Sequence, residues 1–265
     1  MGGCVSEATA LMEFRNVTVI RGTTVALRRL SLTIGAHENV AIIGPNGCGK
    51  STLLKTITRE LYPIAEDGSY AGILGRDRWE VTEMRKHLGV VTNDLFVQSH
   101  RNPSGRELVL SGFFSSFGLW PHHHVTPEME HKTDEVLALL VASHLAAKPY
   151  NELSSGERKR LVLGRALVHG PQALVLDEPS DSLDMAALKT LQTNMCTLAQ
   201  RGISIVLVTH HLHEIIPEIS RVVLMKNGRV FRDGSKAEIL TRANLSEAYG
   251  ADIEPMERDG YYQFW

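Results

Sequence analysis

Apolar residues along the chain follow two alternating patterns, and together these predict an α/β fold. Short apolar, β-branched runs predict buried strands; they cover residues 13–20, 30–34, 40–43, 88–91, 173–176 and 203–208. A turn-and-strand piece begins at residues 67–70, with 73–75 after it, and residues 222–231 predict a hairpin that turns at 226–228. Longer runs of helical period predict helices; they cover residues 52–57, 157–168 and 183–200. Strands alternating with helices in this way are typical of a mostly parallel sheet with helices on both faces.

Two regions depart from that alternation. Residues 12–34 read as short strands around a turn, which predicts an N-terminal antiparallel β subdomain. In residues 93–157, helical runs at 106–111 and 132–141 are separated by loops, which predicts an inserted helical subdomain. The predicted organisation has four parts: a lead-in over 1–11, an α/β core over 12–92 and 158–240, the helical subdomain over 93–157, and a C-terminal tail over 241–265.

Composition narrows the class of protein. With 43% hydrophobic and 22% charged residues, the chain is typical of a soluble globular protein, and a net charge of −2 argues against extensive nucleic-acid binding. The cysteines, Cys4, Cys48 and Cys196, are too far apart for metal spacing or a disulfide framework, which favours a reducing cytosol. The longest apolar run, residues 136–142, is far shorter than a membrane span, and no signal peptide is predicted.

A glycine-rich stretch between the predicted strand at 40–43 and the helix at 52–57 has the phosphate-loop pattern G-x-x-x-x-G-K-[ST]. Its residues are Gly44, Pro45, Asn46, Gly47, Cys48, Gly49, Lys50, Ser51 and Thr52. Glycines let the backbone N–H groups turn inward, and the following helix adds its positive N-terminal end. This pattern predicts that Lys50 reaches the β- and γ-phosphates of a nucleotide and that Ser51 ligates Mg²⁺.

A second apolar strand, residues 173–176, delivers two carboxylates at its carboxyl end, Asp177 and Glu178. In a parallel sheet this edge is where phosphate ligands bind. Asp177 suits Mg²⁺ held through water, and Glu178 suits polarising the water that attacks the γ-phosphate.

Between these two motifs, Leu153-Ser154-Ser155-Gly156-Glu157 opens a basic helix. In this order the motifs resemble the ABC (ATP-binding cassette) ATPases over residues 12–249. The resemblance implies a P-loop NTPase fold of the ABC type, with ATP and Mg²⁺ bound between two cassettes packed head to tail. Ser154 and the amide of Gly156 would hold the γ-phosphate bound by the other chain. Glu157 replaces the family glutamine and Ser155 a glycine. The serine costs little, whereas Glu157 brings a carboxylate near phosphate, which would either weaken closure of the dimer or need a basic neighbour.

The resemblance implies roles for four more residues. Asp184, in Ser182-Leu183-Asp184, matches the D-loop, which couples the two sites of the dimer. His210 matches the switch histidine that contacts the γ-phosphate and orients Glu178. Asn93 stands where the family has the Q-loop glutamine, a metal contact, and Arg21 stands where an aromatic residue stacks on adenine.

Several histidines and aromatic residues lie outside these motifs. His211 and His213 are interpreted as bystanders, and His122 to His124 as an exposed loop. The aromatic stretch 111–120 is interpreted as core of the helical subdomain, with a docking surface for a partner's helix as the alternative.

The resemblance implies an ATP-hydrolysing subunit that powers a separate membrane permease, lying on the cytoplasmic face of the cell membrane. Its partners would be transmembrane permease subunits and a second copy of the chain, a homodimer formed on ATP binding. Leu240 and residues 245–250 are similar to the ATPase subunits of iron-chelate, vitamin B12 and molybdenum importers. Residues 76–80 and 110–114 are similar to the molybdenum-transport and photorepair branch. These similarities imply an importer of a metal, oxyanion or metal chelate. Two alternatives stay open: a soluble cassette ATPase without a permease, acting in regulation or DNA repair, and a nucleotide-binding scaffold with negligible turnover. The presence of Lys50, Asp177, Glu178 and His210 weighs against the scaffold.

Overall fold

The computed structural model describes residues 10–92 and 102–264. Its strands, in chain order, are β1 (Met12–Arg21), β2 (Thr24–Ile34), β3 (Val40–Ile43), β4 (Tyr70–Ile73), β5 (Leu88–Val91), β6 (Ala173–Asp177), β7 (Ser204–Thr209), β8 (Arg221–Lys226), β9 (Arg229–Ser235), β10 (Pro255–Arg258) and β11 (Tyr261–Phe264). Its α-helices are α1 (Lys50–Ile57), α2 (Val81–His87), α3 (Gly105–Leu110), α4 (Pro127–Leu139), α5 (Ser155–Leu167), α6 (Met185–Gln200), α7 (Lys236–Ile239) and α8 (Arg242–Tyr249). These elements form two compact units: the first ends at Val81 and resumes at Val208, and the second spans Thr82–Leu207.

The first unit contains an antiparallel sheet in the order β2-β1-β4. Phe14, Val17 and Val19 of β1 are buried, as are Leu27 and Leu30 of β2. Their alternation with exposed polar residues explains why this segment forms a sheet with one buried face. The predicted N-terminal antiparallel sheet is therefore confirmed, with β2 starting earlier than the run at 30–34.

The same unit contains the strand that precedes the phosphate loop. All four residues of β3 are buried, and β3 pairs in parallel with β8. Strand β8 turns back antiparallel into β9 through Asn227 and Gly228, both with positive φ (52° and 76°). Two left-handed residues of these types are typical of a tight hairpin, and this hairpin lies at the predicted turn.

In the second unit β5 and β6 pair in parallel, and α3, α4 and α5 pack together. Gly164 of α5 permits this close packing, because a Cβ there would lie 3.2 Å from Val109 Cγ2 of α3 and 3.4 Å from Val136 Cγ1 of α4. The parallel strand pairing and the helices of residues 105–139 confirm the predicted fold class.

Three boundaries and one segment differ from the sequence pattern. Helix α4 starts at Pro127 rather than at 132, since Thr126 caps it. Helix α6 starts at Met185 rather than at 183, since Asp184 is its N-cap. Strand β4 begins at Tyr70, within the predicted turn-and-strand piece, and ends at Ile73 rather than at 75. The C-terminal segment, expected as a tail, holds α8 and the β10–β11 hairpin. Among the residues described, none of the helices has the length and apolar character needed to span a membrane.

Candidate nucleotide site

The phosphate loop connects β3 to α1 in a conformation that requires glycine. Gly44, Gly47 and Gly49 have φ of 151°, 77° and 112°, which L side chains rarely adopt. A Cβ on Gly44 would also overlap the Met225 carbonyl. No side chain caps the start of α1, so its first backbone N–H groups remain available to an anion.

Lys50 is held inside this loop. Its side chain is buried, with 6% of the residue exposed, and Nζ donates hydrogen bonds to the carbonyls of Gly44 (2.6 Å) and Pro45 (3.3 Å). A buried ammonium is costly unless it is hydrogen-bonded or paired with an anion. The two carbonyls and the start of α1 therefore place a positive charge where phosphate oxygens would bind.

Cys48 belongs to the loop, and Tyr249 lies near Cys48 and Gly44. Cys48 is buried, and burial raises the pKa of its thiol. Lys50 has the opposite, smaller effect on this pKa. Burial likewise raises the pKa of Tyr249, at the end of α8, to about 12, with Cys48 as a second cause. Sequence reasoning missed this contact between α8 and the loop, since only the resemblance over 245–250 pointed to that segment.

His210 follows directly after β7, and two further histidines lie beside it. The ring centroids of His210 and His211 are 3.8 Å apart, and those of His211 and His213 are 5.0 Å apart. Burial lowers the pKa of His213, and the nearby His211 and His210 lower it further. The sequence did not indicate this row of imidazoles. Within the described residues, the structure contains no group of three or more His, Cys, Asp or Glu side chains that could hold a metal ion.

In the second unit, β6 ends at Asp177, and Glu178 follows with a positive φ of 43°. A left-handed glutamate costs on the order of 1 kcal/mol, and such strain is common at functional sites. The Asp181 N–H donates to the Glu178 carbonyl (3.2 Å), and Ser182 again has a positive φ, 62°. Asp184 then caps α6 by accepting from the Ala187 N–H (2.8 Å).

The Leu153–Glu157 motif forms the start of α5. Ser154 caps the helix by accepting from the Glu157 N–H, and a Glu157 oxygen accepts from the Ser154 N–H at 2.7 Å. Lys148 Nζ lies 3.2 Å from both Glu157 oxygens. The bond from the Ser154 N–H is the main cause that lowers the pKa of Glu157, and Lys148 adds to it. Lys148 is therefore the basic neighbour that the glutamate requires.

The predicted metal ligands and the predicted adenine contact lie in different parts of the chain. Ser51 is exposed at the start of α1 and Asp177 is half-buried, so each offers the oxygen ligand that Mg²⁺ prefers. Arg21 is exposed at the β1–β2 turn, and Asn93 lies outside the described residues. The phosphate loop, Arg21 and His210 belong to the first unit; the two carboxylates, the Leu153–Glu157 motif and Asp184 belong to the second.

The aromatic stretch packs within the second unit. Phe114 stacks on His123 with centroids 4.1 Å apart, and Phe117 meets Tyr150 edge-on at 5.1 Å. These half-buried contacts favour the core interpretation. His123 is half-buried and its Nδ1 accepts from the Trp120 N–H, so only its two neighbours, His122 and His124, match the expected exposed loop.

Comparison with known proteins agrees with this geometry. A family model described as "ABC transporter" matches residues 27–181. The hemin import ATP-binding protein HmuV of Escherichia coli O157:H7 is 33% identical over 84% of this chain and 86% of its own length. The cobalt import ATP-binding protein CbiO of Rhodobacter capsulatus is 32% identical over 85% and 79%. The structure of CbiO1 from Clostridium perfringens, part of the transporter complex CbiONQ, superposes with a TM-score of 0.76 at 25% identity, over 90% of this chain and 94% of that one.

Proposed function

Because the chain belongs to the ABC transporter family, as an ATP-binding subunit that hydrolyses ATP, we propose that it powers a separate membrane permease that imports a metal, oxyanion or metal chelate. Similarity to a hemin importer and to a cobalt importer supports this substrate class. In this proposal the chain lies on the cytoplasmic face of the membrane, where it binds transmembrane permease subunits and a second copy of itself.

The observation that carries the proposal is the phosphate loop. Three left-handed glycines, an uncapped helix start and a buried Lys50 together form a cradle for an anion with several oxygens. Lys50 binds the β- and γ-phosphates, and Ser51 and Asp177 would supply oxygen ligands to Mg²⁺. Bound Mg²⁺ would neutralise charge that develops on the phosphates. Arg21 would stack its guanidinium on adenine, and Asn93 would take the place of the Q-loop glutamine.

Glu178 and His210 carry the hydrolytic step in this proposal. Glu178 polarises the attacking water by accepting its proton. His210 contacts the γ-phosphate and orients Glu178. Ser154, the amide of Gly156, Glu157 and Asp184 serve the site of the partner cassette, so that two ATP molecules hold two chains together until they are hydrolysed.

Replacing Glu178 by glutamine tests this mechanism, since glutamine keeps the shape of the side chain and removes the base. We expect Glu178→Gln to lower ATP turnover by about 100-fold or more and to elute as a dimer in the presence of ATP during size-exclusion chromatography. Glu135→Gln, an exposed carboxylate of α4, is the matched control and should behave as the parent. A Glu178→Gln protein that hydrolyses ATP at the parent rate and elutes as a monomer would refute the proposal.

A further inference from the structure

Ser155 connects two loops of the second unit. It is the first residue of α5, and its Oγ donates a hydrogen bond to the carbonyl of Ser182, 3.0 Å away, in the loop between β6 and α6. The family motif has glycine at this position, and glycine has no hydroxyl. The bond therefore depends on a residue in which this chain departs from the family motif.

Close packing between the starts of α5 and α6 brings the Ser155 hydroxyl and the Ser182 carbonyl together. A Cβ added to Gly156 would lie 2.5 Å from the Ala187 Cβ, so the first turns of α5 and α6 are already in contact. The carbonyl of Ser182 accepts the bond from the Ser155 hydroxyl, and the backbone of Ser182 is left-handed, with φ 62°. A left-handed residue other than glycine is unfavourable by about as much as one neutral hydrogen bond is favourable. The Ser155 hydroxyl thus offsets the strain at Ser182.

The loop so held is the one that carries Glu178. It contains two left-handed residues, Glu178 and Ser182, and its internal backbone bonds run from the Asp181 N–H to Glu178 (3.2 Å) and from the Leu183 N–H to Ser180 (3.0 Å). Because two residues of this short loop have unfavourable backbone conformations, a further hydrogen bond from Ser155 helps to keep the loop in its observed conformation.

We propose that Ser155 is a positioning residue that fastens the start of α5 to the loop between β6 and α6, so that the Ser154–Gly156 turn and the Glu178-bearing loop keep one fixed arrangement. The proposal rests on the proposed function for its consequence: the loop offered to the partner's nucleotide and the loop that activates water in the chain's own site move together.

Hydrogen exchange tests the fastening without any activity. Ser155→Ala and Ser155→Gly remove the donor, and we expect amide exchange in a peptide covering residues 179–184 to accelerate about 3- to 10-fold, the factor that corresponds to one neutral hydrogen bond. Ser155→Thr keeps a hydroxyl and should exchange as the parent does. The turn Ser143–Leu145 serves as the internal reference and should be unchanged in all four proteins. Unaltered exchange at 179–184 in both donor-free variants would overturn the inference.

Steady-state ATP hydrolysis tests the consequence. The donor-free variants should lose about 3- to 10-fold in kcat with KM for ATP within about twofold of the parent, since the phosphate loop is untouched. Ser155→Thr should restore kcat, which a general loss of packing would not allow. Faster exchange with parent kcat would overturn the positioning role. A parent chain that hydrolyses no ATP would instead contradict the proposed function, while the exchange result would stand on its own.

Discussion

Glu157 shows how one residue can depart from a family pattern and remain compatible with its neighbours. Beside a turn proposed to bind phosphate, an ionised carboxylate would repel the phosphate. Here one oxygen accepts from the Ser154 N–H, and Lys148 lies 3.2 Å from both oxygens. The negative charge is thus neutralised inside the second unit before any nucleotide arrives.

This neutralisation has a pH dependence with a defined sign. Because the folded-state pKa of Glu157 is lowered from 4.5, its contribution to stability is present above the unfolded pKa and is lost as pH falls through the folded value. We expect Glu157→Gln to lower the free energy of unfolding by about 0.5–1 kcal/mol at pH 7, the usual size for a partly exposed ion pair. Urea denaturation should show this difference shrinking below pH 4.5.

Lys148→Met supplies the control for the ion pair. It should destabilise the parent at pH 7 and have little effect in the Glu157→Gln background, because the charge it pairs with is then absent. Equal effects of Lys148→Met in both backgrounds would show that the pair contributes nothing. A stability difference between the parent and the Glu157→Gln protein that persists undiminished at about pH 3, below the ordinary pKa of a glutamate, would contradict the assigned cause.

At the scale of elements, the sequence predicts what depends on local periodicity and fails where contacts are distant. The buried runs at 40–43, 88–91 and 173–176 become β3, β5 and most of β6, since a fully apolar run has few alternatives. Helix starts were misplaced because caps such as Thr126 and Asp184 determine them. The C-terminal helices and hairpin were missed because their short, polar segments acquire structure by packing on the rest of the first unit.

Gly105 marks where helix propensity and packing disagree. Alanine favours helices over glycine by about 1 kcal/mol, so Gly105→Ala at the start of α3 should stabilise the helix if only local effects counted. A Cβ there would overlap the Leu145 carbonyl, which is backbone and cannot move aside cheaply. We expect the overlap to prevail and Gly105→Ala to lower the free energy of unfolding by about 1–3 kcal/mol in urea denaturation.

Gly35→Ala is the matched control for that substitution. A Cβ on Gly35 meets its nearest atom, Glu38 Oε2, at 3.5 Å, an ordinary contact, and its φ lies outside the left-handed region. Its unfolding midpoint should therefore stay close to that of the parent. Should Gly105→Ala prove as stable as Gly35→Ala, the close approach of α3 to Leu145 would be wrong.

At the scale of the whole molecule, the order of motifs along the chain predicts the family, while the details of the candidate site depend on contacts between distant residues. Nothing in the sequence places Lys148 beside Glu157, Ser155 beside Ser182 or Tyr249 near Cys48, because each contact joins segments whose separation only the fold sets. The left-handed backbone at Glu178 is also invisible to sequence, since glutamate is not a residue typical of that conformation.

The charge of the chain bears on whether it is a transporter subunit or a DNA-dependent ATPase. The net charge is −2. In the most basic helix, α5, three cations are hydrogen-bonded to carbonyls: Arg158 to that of Tyr150, Arg160 to that of Val141 and Arg165 to that of Ser116. A basic patch free to bind phosphodiesters is therefore not expected on this helix.

We expect double-stranded DNA to change ATP turnover by less than about twofold even at about 50 mM salt, where phosphate contacts are strongest. Heparin added at the same charge concentration controls for a nonspecific polyanion effect. Several-fold stimulation by DNA but not by heparin, lost as salt is raised, would favour the soluble repair-type ATPase over the transporter subunit.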